Sequence, residues 1–330
     1  MTMTKTVCLK AIRAAARRIQ GIVHRTPLID VSEKSQCPLM LKCENLQVAG
    51  AFKIRGAYNT MVQVTQECPG RGVITYSSGN HAQAVAYAAR HLQIPAVVVM
   101  PETAPLIKVD GARSYGAEVI FEGVTSIARR ERAEAEAKSR GFTIIPPFDH
   151  PEIIAGQGTV GLEILEDCDH VSTVYVPIGG GGLISGVGAA VKRMRPGVRI
   201  VGVEPEGGAA MAASIAAGKP VTLERVQSVA DGLLPVRPGD LTFTHVAEFI
   251  DDVITVKDEE IIEAVQWLMT TAKLVVEPSG AATVAAVLFR SGGVQLADQG
   301  VTVAVLSGGN IAHELVVSLF SDVARVNSEQ

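Results

Sequence analysis

The chain has 330 residues, 47% hydrophobic, 19% charged and only 4% aromatic, with a formal net charge of −4. That is a globular composition with material for a large core and, as a prior from length alone, about two domains. No basic block dominates and aromatic residues are scarce, so nucleic acid is excluded as a main partner. Apolar runs such as AVVVM (96–100) fall far short of the ~20 residues a membrane span needs. The five cysteines form no C-x-x-C pair and the seven histidines no H-E-x-x-H. Neither a disulfide framework nor a zinc hydrolase follows, and a reducing cytoplasm is the simplest home.

In chain order, the N-terminus carries Lys5, Lys10, Arg13, Arg17 and Arg18 with no acid before Asp30. A transit peptide has that composition. The favoured reading is an amphipathic helix with Leu9, Ile12, Ala16 and Ile19 on one face. GVITY (72–76) reads as a strand, SSGNH as a turn, and an alanine-rich helix runs from Ala82 to Leu92 before the strand AVVVM. The alternation continues with AEVIF (117–121), a charged helix over 126–140 stopped by Gly141, and FTIIP (142–146). PPFDHPE (146–152) breaks the rhythm and is the candidate hinge. Then come STVYVP (172–177), VRIVGVE (198–204), DVITV (252–256) and VTVAVLS (301–307). Near-continuous apolar strands separated by helices predict an α/β fold, with open parallel sheets and helices on both faces.

Three strand-end loops and one lysine stand out. In VPIGGGGLISG (176–186), Gly179, Gly180, Gly181 and Gly182 lead from a strand into a helix. Without side chains, backbone N–H groups and the positive end of the helix meet an anion, and phosphate is the natural guest. TYSSGNHAQ (75–83) sets Ser77, Ser78 and Asn80 at another helix start, which suits a carboxylate or ordinary capping equally. VLSGGNIAHE (305–314) places Ser307 at a strand end beside Gly308 and Gly309. In AGAFKIRGAYN (49–59), Lys53 is flanked by Phe52, Ile54 and small residues. A phosphate site, a carboxylate site and a poised lysine fit a phosphorylated aldehyde cofactor, pyridoxal 5'-phosphate. Arg55 reads as an ion-pair partner or a residue turned away from the reacting side.

GAFKIRGAYN, SSGNHAQAVAYAA, IAGQGT, VPIGGGGLISG, VADGL, VVEPSGAA and VLSGGN occur in this order. Together they resemble the threonine/serine dehydratase and serine racemase group of fold-type II pyridoxal-phosphate enzymes, which is similar to the tryptophan synthase β-subunit. The resemblance runs from RTPL (25–28) to Asn310. It implies that Lys53 carries the cofactor, with Phe52 beside its ring, and that Asn80 bonds the ring's phenolic oxygen. Gly179 to Gly182 with Leu183 would hold the phosphate, Ser307 would face the pyridine nitrogen, and Gly232 would line the cleft. Ala51, Ser77, Ser78, Gly79 and His81 would receive the substrate, with Ser78 opposite Lys53. A small domain over 70–149 would be inserted into a large one made of 1–69 and 150–330, with no C-terminal regulatory domain.

The implied activity is an α,β-elimination of a β-hydroxy-α-amino acid, L-threonine or L-serine by default, to a 2-oxo acid and ammonia. The implied assembly is a homodimer. Some residues depart from the group. Ala51 replaces the usual serine and Ala84 stands where glycine is frequent, both read as changes to the substrate loops. Threo-phenylserine and 3-hydroxyaspartate therefore remain alternatives, and Ser78 opposite Lys53 leaves serine racemisation open. Members that bind a divalent cation use a glutamate, a carbonyl and an aspartate. Here Glu204 and Gly208 are weak candidates and Ala210 replaces the acid, so no metal is expected. An NAD-dependent dehydrogenase is the rival enzyme reading, with GGGGLIS as the dinucleotide turn and Glu204 as the ribose-binding acid.

Overall fold

A computed structural model describes residues 6–35, 37–77, 79–123, 126–289 and 300–326. The first half of the chain runs α1 (Leu9–Ile19), β1 (Leu28–Asp30), β2 (Leu39–Cys43), α2 (Lys53–Glu67), β3 (Val73–Tyr76), α3 (Asn80–Leu92), β4 (Ala96–Met100), α4 (Leu106–Ser114), β5 (Glu118–Phe121), α5 (Ser126–Arg140) and β6 (Thr143–Ile144). The second runs α6 (Pro151–Asp167), β7 (Val171–Pro177), α7 (Gly182–Met194), β8 (Arg199–Pro205), α8 (Ala210–Ala217), α9 (Asp240–Phe249), β9 (Asp252–Val256), α10 (Asp258–Trp267), α11 (Pro278–Phe289), β10 (Val301–Leu306) and α12 (His313–Val326).

The strands form two sheets, one ordered β1-β2-β10-β7-β8-β9 and one ordered β5-β4-β3-β6. Every pairing is parallel except that of the edge strand β1 with β2. Both faces of the large sheet are covered, so its strands bury alternate residues on opposite sides. Leu39, Leu41, Tyr175, Ala304 and Leu306 pack toward α10 and α11. Val174, Val176, Val303 and Val305 pack toward α6, α7 and α9. The small sheet has α2, α3 and α4 on one face and α5 on the other.

The predicted strands after residue 70 are present. Helix α3 starts at Asn80, two residues earlier than expected, and Gly141 closes α5 with φ +68°. Helix α1 forms as expected, with Ile12, Ala15 and Ile19 fully inside. Strands β1 and β2 are additions to the predicted set. Lys42 interrupts the apolar run of β2, and only its buried partners explain it there. The last two residues of the candidate hinge 146–152, Pro151 and Glu152, open α6. Asp149 is fastened to the large layer, its carboxylate accepting from the amides of Asp240, Leu241 and Thr242 at 3.0–3.1 Å and so capping α9.

Candidate active site

The three glycine- and serine-rich loops follow the carboxyl ends of parallel strands β3, β7 and β10, the edge where open α/β sheets bind ligands. Lys53 opens α2 and is tied to the third loop. Ala51 makes an antiparallel bridge with Gly308, and the Phe52 amide donates to the Ser307 carbonyl at 3.1 Å. The half-buried Lys53 ammonium donates to the Pro147 carbonyl at 3.0 Å and lies 5.1 Å from the centre of the Phe52 ring. Loss of hydration lowers its pKa to about 8, against the opposing pull of nearby Glu277. An amine tuned this way is neutral far more often near physiological pH than an ordinary lysine, as a proton acceptor requires.

The segment 147–148 joins Lys53 to the glycine loop. Phe148, next to Pro147, lies against Gly180 and Gly182, where a Cβ would run into its ring or backbone. Gly181 has φ +92°, a conformation natural to glycine. The first amides of α7 have no intrahelical acceptors and carry the positive end of its dipole. A cradle of bare backbone and helix N-terminus is what a phosphate dianion requires. The Leu183 side chain turns into the core, so only its backbone is offered to the loop.

A polar network closes the opposite side. Asn80 Nδ2 donates to Glu277 Oε1 at 2.5 Å, and Asn310 Nδ2 donates to Asn80 Oδ1 at 2.9 Å. Lys108 donates to Asp231 at 2.6 Å and lies 3.4 Å from Glu277 Oε2. Burial raises the Glu277 carboxyl above its ordinary value. The Gly232 amide donates to Ser279 Oγ at 2.8 Å, and Ser307 Oγ donates to the Ser279 carbonyl at 3.3 Å. Gly79 packs against Lys108 so closely that a Cβ would collide, and its amide donates to Ser77 Oγ at 3.1 Å. Ser78 lies outside the described residues.

Some expected residues sit differently. His81 is buried with Nε2 3.1 Å from the Ile145 carbonyl, and its Nδ1 has no partner among the described residues. Burial and the Lys53 charge lower its pKa to about 3, so it stays neutral and supports the loop from within. Ala84 is no part of a substrate loop: it packs with Val85 and Ala88 in the core beneath the small sheet. Its place is set by helix periodicity, which turns it away from the loop. Ala51 is 1% exposed and lies against Gly308.

Glu204 caps α8, accepting from the amides of Met211 and Ala212 at 2.8 and 2.9 Å. Its oxygens are engaged by backbone, which argues against a cation there and against the ribose role of the dehydrogenase reading. Burial raises its pKa to about 7. Gly208 is covered by Leu234 and Pro205. Among the described residues no group of three or more His, Cys, Asp or Glu is arranged to hold a metal. None of their helices is long and apolar enough to cross a membrane.

The reading of the sequence missed Glu277, Asp231 and Lys108. The first two lie inside the quoted stretches VVEPSGAA and VADGL, but nothing local distinguishes them from solvated acids. It also left open the role of Arg55. Its guanidinium is fully buried and bonds Glu44, Glu163, Thr159 and the His24 carbonyl. Lys42, also fully buried, bonds Glu163 at 2.6 Å and the Thr26 carbonyl at 2.7 Å.

Lysine, glycine loop and polar network together have the parts of a site for a phosphorylated aldehyde cofactor. The family model described as pyridoxal-phosphate dependent enzyme matches residues 19–308. The chain is 45% identical to the L-threonine ammonia-lyase of Thermotoga maritima over 92% of its own length and 76% of that protein. It is 38% identical to the L-threo-3-hydroxyaspartate ammonia-lyase of Saccharomyces cerevisiae, over 93% and 94% of the two chains. The structure of maize serine racemase superposes with a TM-score of 0.90 at 39% identity, covering 98% of this chain and all of that one. The chain belongs to the pyridoxal-phosphate dependent enzyme family and has its fold-type II architecture. It is a lyase of that family, and its cofactor is pyridoxal 5'-phosphate. The residues fit that group: an amine with lowered pKa, a run of bare glycine backbone at the start of α7 with no room for a Cβ at Gly180, and an amide donor in Asn80.

Proposed function

We propose that this enzyme is an ammonia-lyase for β-hydroxy-α-amino acids, with L-threonine and L-serine as first substrates. The observation that carries this reading is the Lys53 amine, half-buried and shifted to about 8, between the Phe52 ring and the hinge over the glycine loop. When bound, pyridoxal phosphate supplies an aldehyde that bonds to amines and a ring that draws electrons from the α-carbon. The protein does the rest. Lys53 would hold the cofactor and, once freed as a neutral amine, take the α-proton. The amides of Gly179 to Gly182 and Leu183 would hold the phosphate, and Phe52 would flank the ring. Ser307 would face the ring nitrogen as a neutral partner. Gly232 would line the cleft, while Ser77, Ser78 and Gly79 would bind the substrate carboxylate at the start of α3. Residues 70–149 would act as the small domain and the enzyme as a cytoplasmic homodimer.

The test is 2-oxo acid release from L-threonine, L-serine, threo-3-hydroxyaspartate and threo-phenylserine. Turnover of threonine or serine supports the reading, and release from none of the four sinks it.

One observation favours threo-3-hydroxyaspartate as a second reading. Arg129 is 8% exposed, and its Nε and Nη1 have no partner among the described residues. It lies in the first turn of α5, which follows the carboxyl end of β5 and so starts over the same sheet edge as the 77–79 loop. A buried guanidinium calls for an anion, and a substrate with a second carboxylate would provide it. Arg129→Leu should raise KM for threo-3-hydroxyaspartate while sparing threonine. An equal change for both substrates would remove this reading.

A further inference from the structure

Asn80 is restrained at both ends of its side chain. A carboxamide has one carbonyl acceptor and two N–H donors, and rotation by half a turn exchanges them. Asn310 Nδ2 donates to the Ala49 carbonyl at 2.9 Å, and a backbone carbonyl only accepts. That bond sets the orientation of Asn310, which then presents its amide nitrogen to Asn80 Oδ1 at 2.9 Å. On the other end, Asn80 Nδ2 meets Glu277 Oε1 at 2.5 Å, and an ionised carboxylate also only accepts. Both partners enforce the same orientation, and one N–H of Asn80 is left unused.

Glu277 is itself held. It is 1% exposed, its Oε2 lies 3.4 Å from Lys108 Nζ without forming a hydrogen bond, and Lys108 is shared with Asp231. The groups facing Glu277 are therefore Asn80, Lys108, Asp231 and, through space, Lys53.

We propose that Glu277 is a positioning residue of the cofactor site: together with Asn310 it locks the Asn80 carboxamide so that the free N–H points to an acceptor oxygen of bound pyridoxal phosphate. The proposal rests on the cofactor reading above and adds a residue that never touches substrate. It gives a reason for a buried acid next to a reacting lysine, where that acid would otherwise only hold the lysine charged.

Glu277→Gln separates this role from simple packing. Glutamine keeps the shape but offers one carbonyl where Asn80 and the Lys108 ammonium both call for an acceptor. Either its NH2 faces Asn80, which must then rotate or let go, or the bond to Asn80 survives without the charge that strengthens it, and both outcomes loosen the lock. The experiment measures the affinity of the apoprotein for pyridoxal phosphate, the pH titration of the visible absorption band of the loaded protein, and thermal unfolding. The expected result for Glu277→Gln is a roughly tenfold loss of cofactor affinity, the size of one charge-assisted hydrogen bond, with a shifted titration midpoint. In Asn80→Ala the same substitution should change affinity no further, because the effect passes through Asn80. Should Glu277→Gln fold poorly, Asn310→Ala releases the other end of Asn80 and should lower affinity in the same direction.

Wild-type affinity and titration in Glu277→Gln or in Asn310→Ala would overturn the proposal. So would additive losses in the double variant. If the wild-type apoprotein itself does not bind pyridoxal phosphate, the cofactor reading falls first, and that outcome is visible before any variant is made.

Discussion

Lys53 and Arg55 stand two residues apart on α2, yet they face opposite kinds of charged surroundings. Arg55 belongs to a closed set: two cations, Arg55 and Lys42, and two anions, Glu44 and Glu163, in short bonds with little or no solvent. Opposing charges hold Glu44 below its ordinary pKa despite full burial. Lys53 belongs to an open set. The pKa of its amine is lowered, that of Glu277 is raised, and His81 Nδ1 and Glu277 Oε2 lack hydrogen-bond partners among the described residues. Satisfied charges fix structure and have no capacity left, whereas incompletely satisfied ones are where a ligand gains binding energy. The closed set fixes the first turn of α2, and the open set uses that rigidity to present an amine.

The comparison breaks most sharply with Lys53→Ala. Turnover should fall by at least ~10³-fold, within the range for loss of a general base, and the visible absorption of the loaded protein should vanish. Near wild-type 2-oxo acid release would make the open set a structural feature like its neighbour. Arg55→Met should act on folding instead. It leaves Glu44 and Glu163 short of a partner in the interior and should cost about 3–5 kcal/mol in denaturant unfolding. If stability is retained while activity is lost, the closed set is part of the reacting site.

A third test concerns the glycine cradle. Gly180→Val pushes against Phe148 and should weaken pyridoxal phosphate binding by about tenfold or more, read by equilibrium dialysis of the apoprotein. An unchanged affinity would place the phosphate elsewhere.

The amine can be titrated directly. In the apoprotein, labelling of Lys53 by an amine-reactive reagent should rise with pH through a midpoint near 8, since only the neutral amine reacts. Glu277→Gln removes a charge that stabilises the ammonium, so the midpoint should move down. A midpoint at the ordinary lysine value would show that burial does not tune this group.

The smallest expected effect lies far from both sets. His245 Nε2 accepts the Val7 amide at 2.9 Å, and Nδ1 bonds the Leu241 carbonyl at 2.8 Å, so the buried ring must be neutral. Burial lowers its pKa below the ordinary 6.5. The unfolded chain then binds more protons, and stability contributed by His245 is lost as pH falls below that value. His245→Gln should flatten the acid side of the stability profile by at most about 1.4 kcal/mol per pH unit. Identical slopes in the two proteins would count against the assignment.

The sequence by itself determined most of the architecture and the cofactor chemistry. Alternating apolar strands and helices, four consecutive glycines after a strand, and Lys53 among small neighbours are local signals, because backbone geometry and side-chain periodicity act over a few residues. Only the tertiary structure decided which acids matter. Glu277 is 224 residues beyond Lys53 along the chain, and nothing in the string separates it from Glu204, which merely caps a helix. Ala84 was misread for the same reason, as a substitution beside a loop when the turn of α3 points it into the core. The antiparallel edge β1–β2 and the buried Lys42 were likewise illegible. Electrostatic roles depend on which charges burial brings within a few ångströms, and that is set by the packing of distant segments rather than by their order.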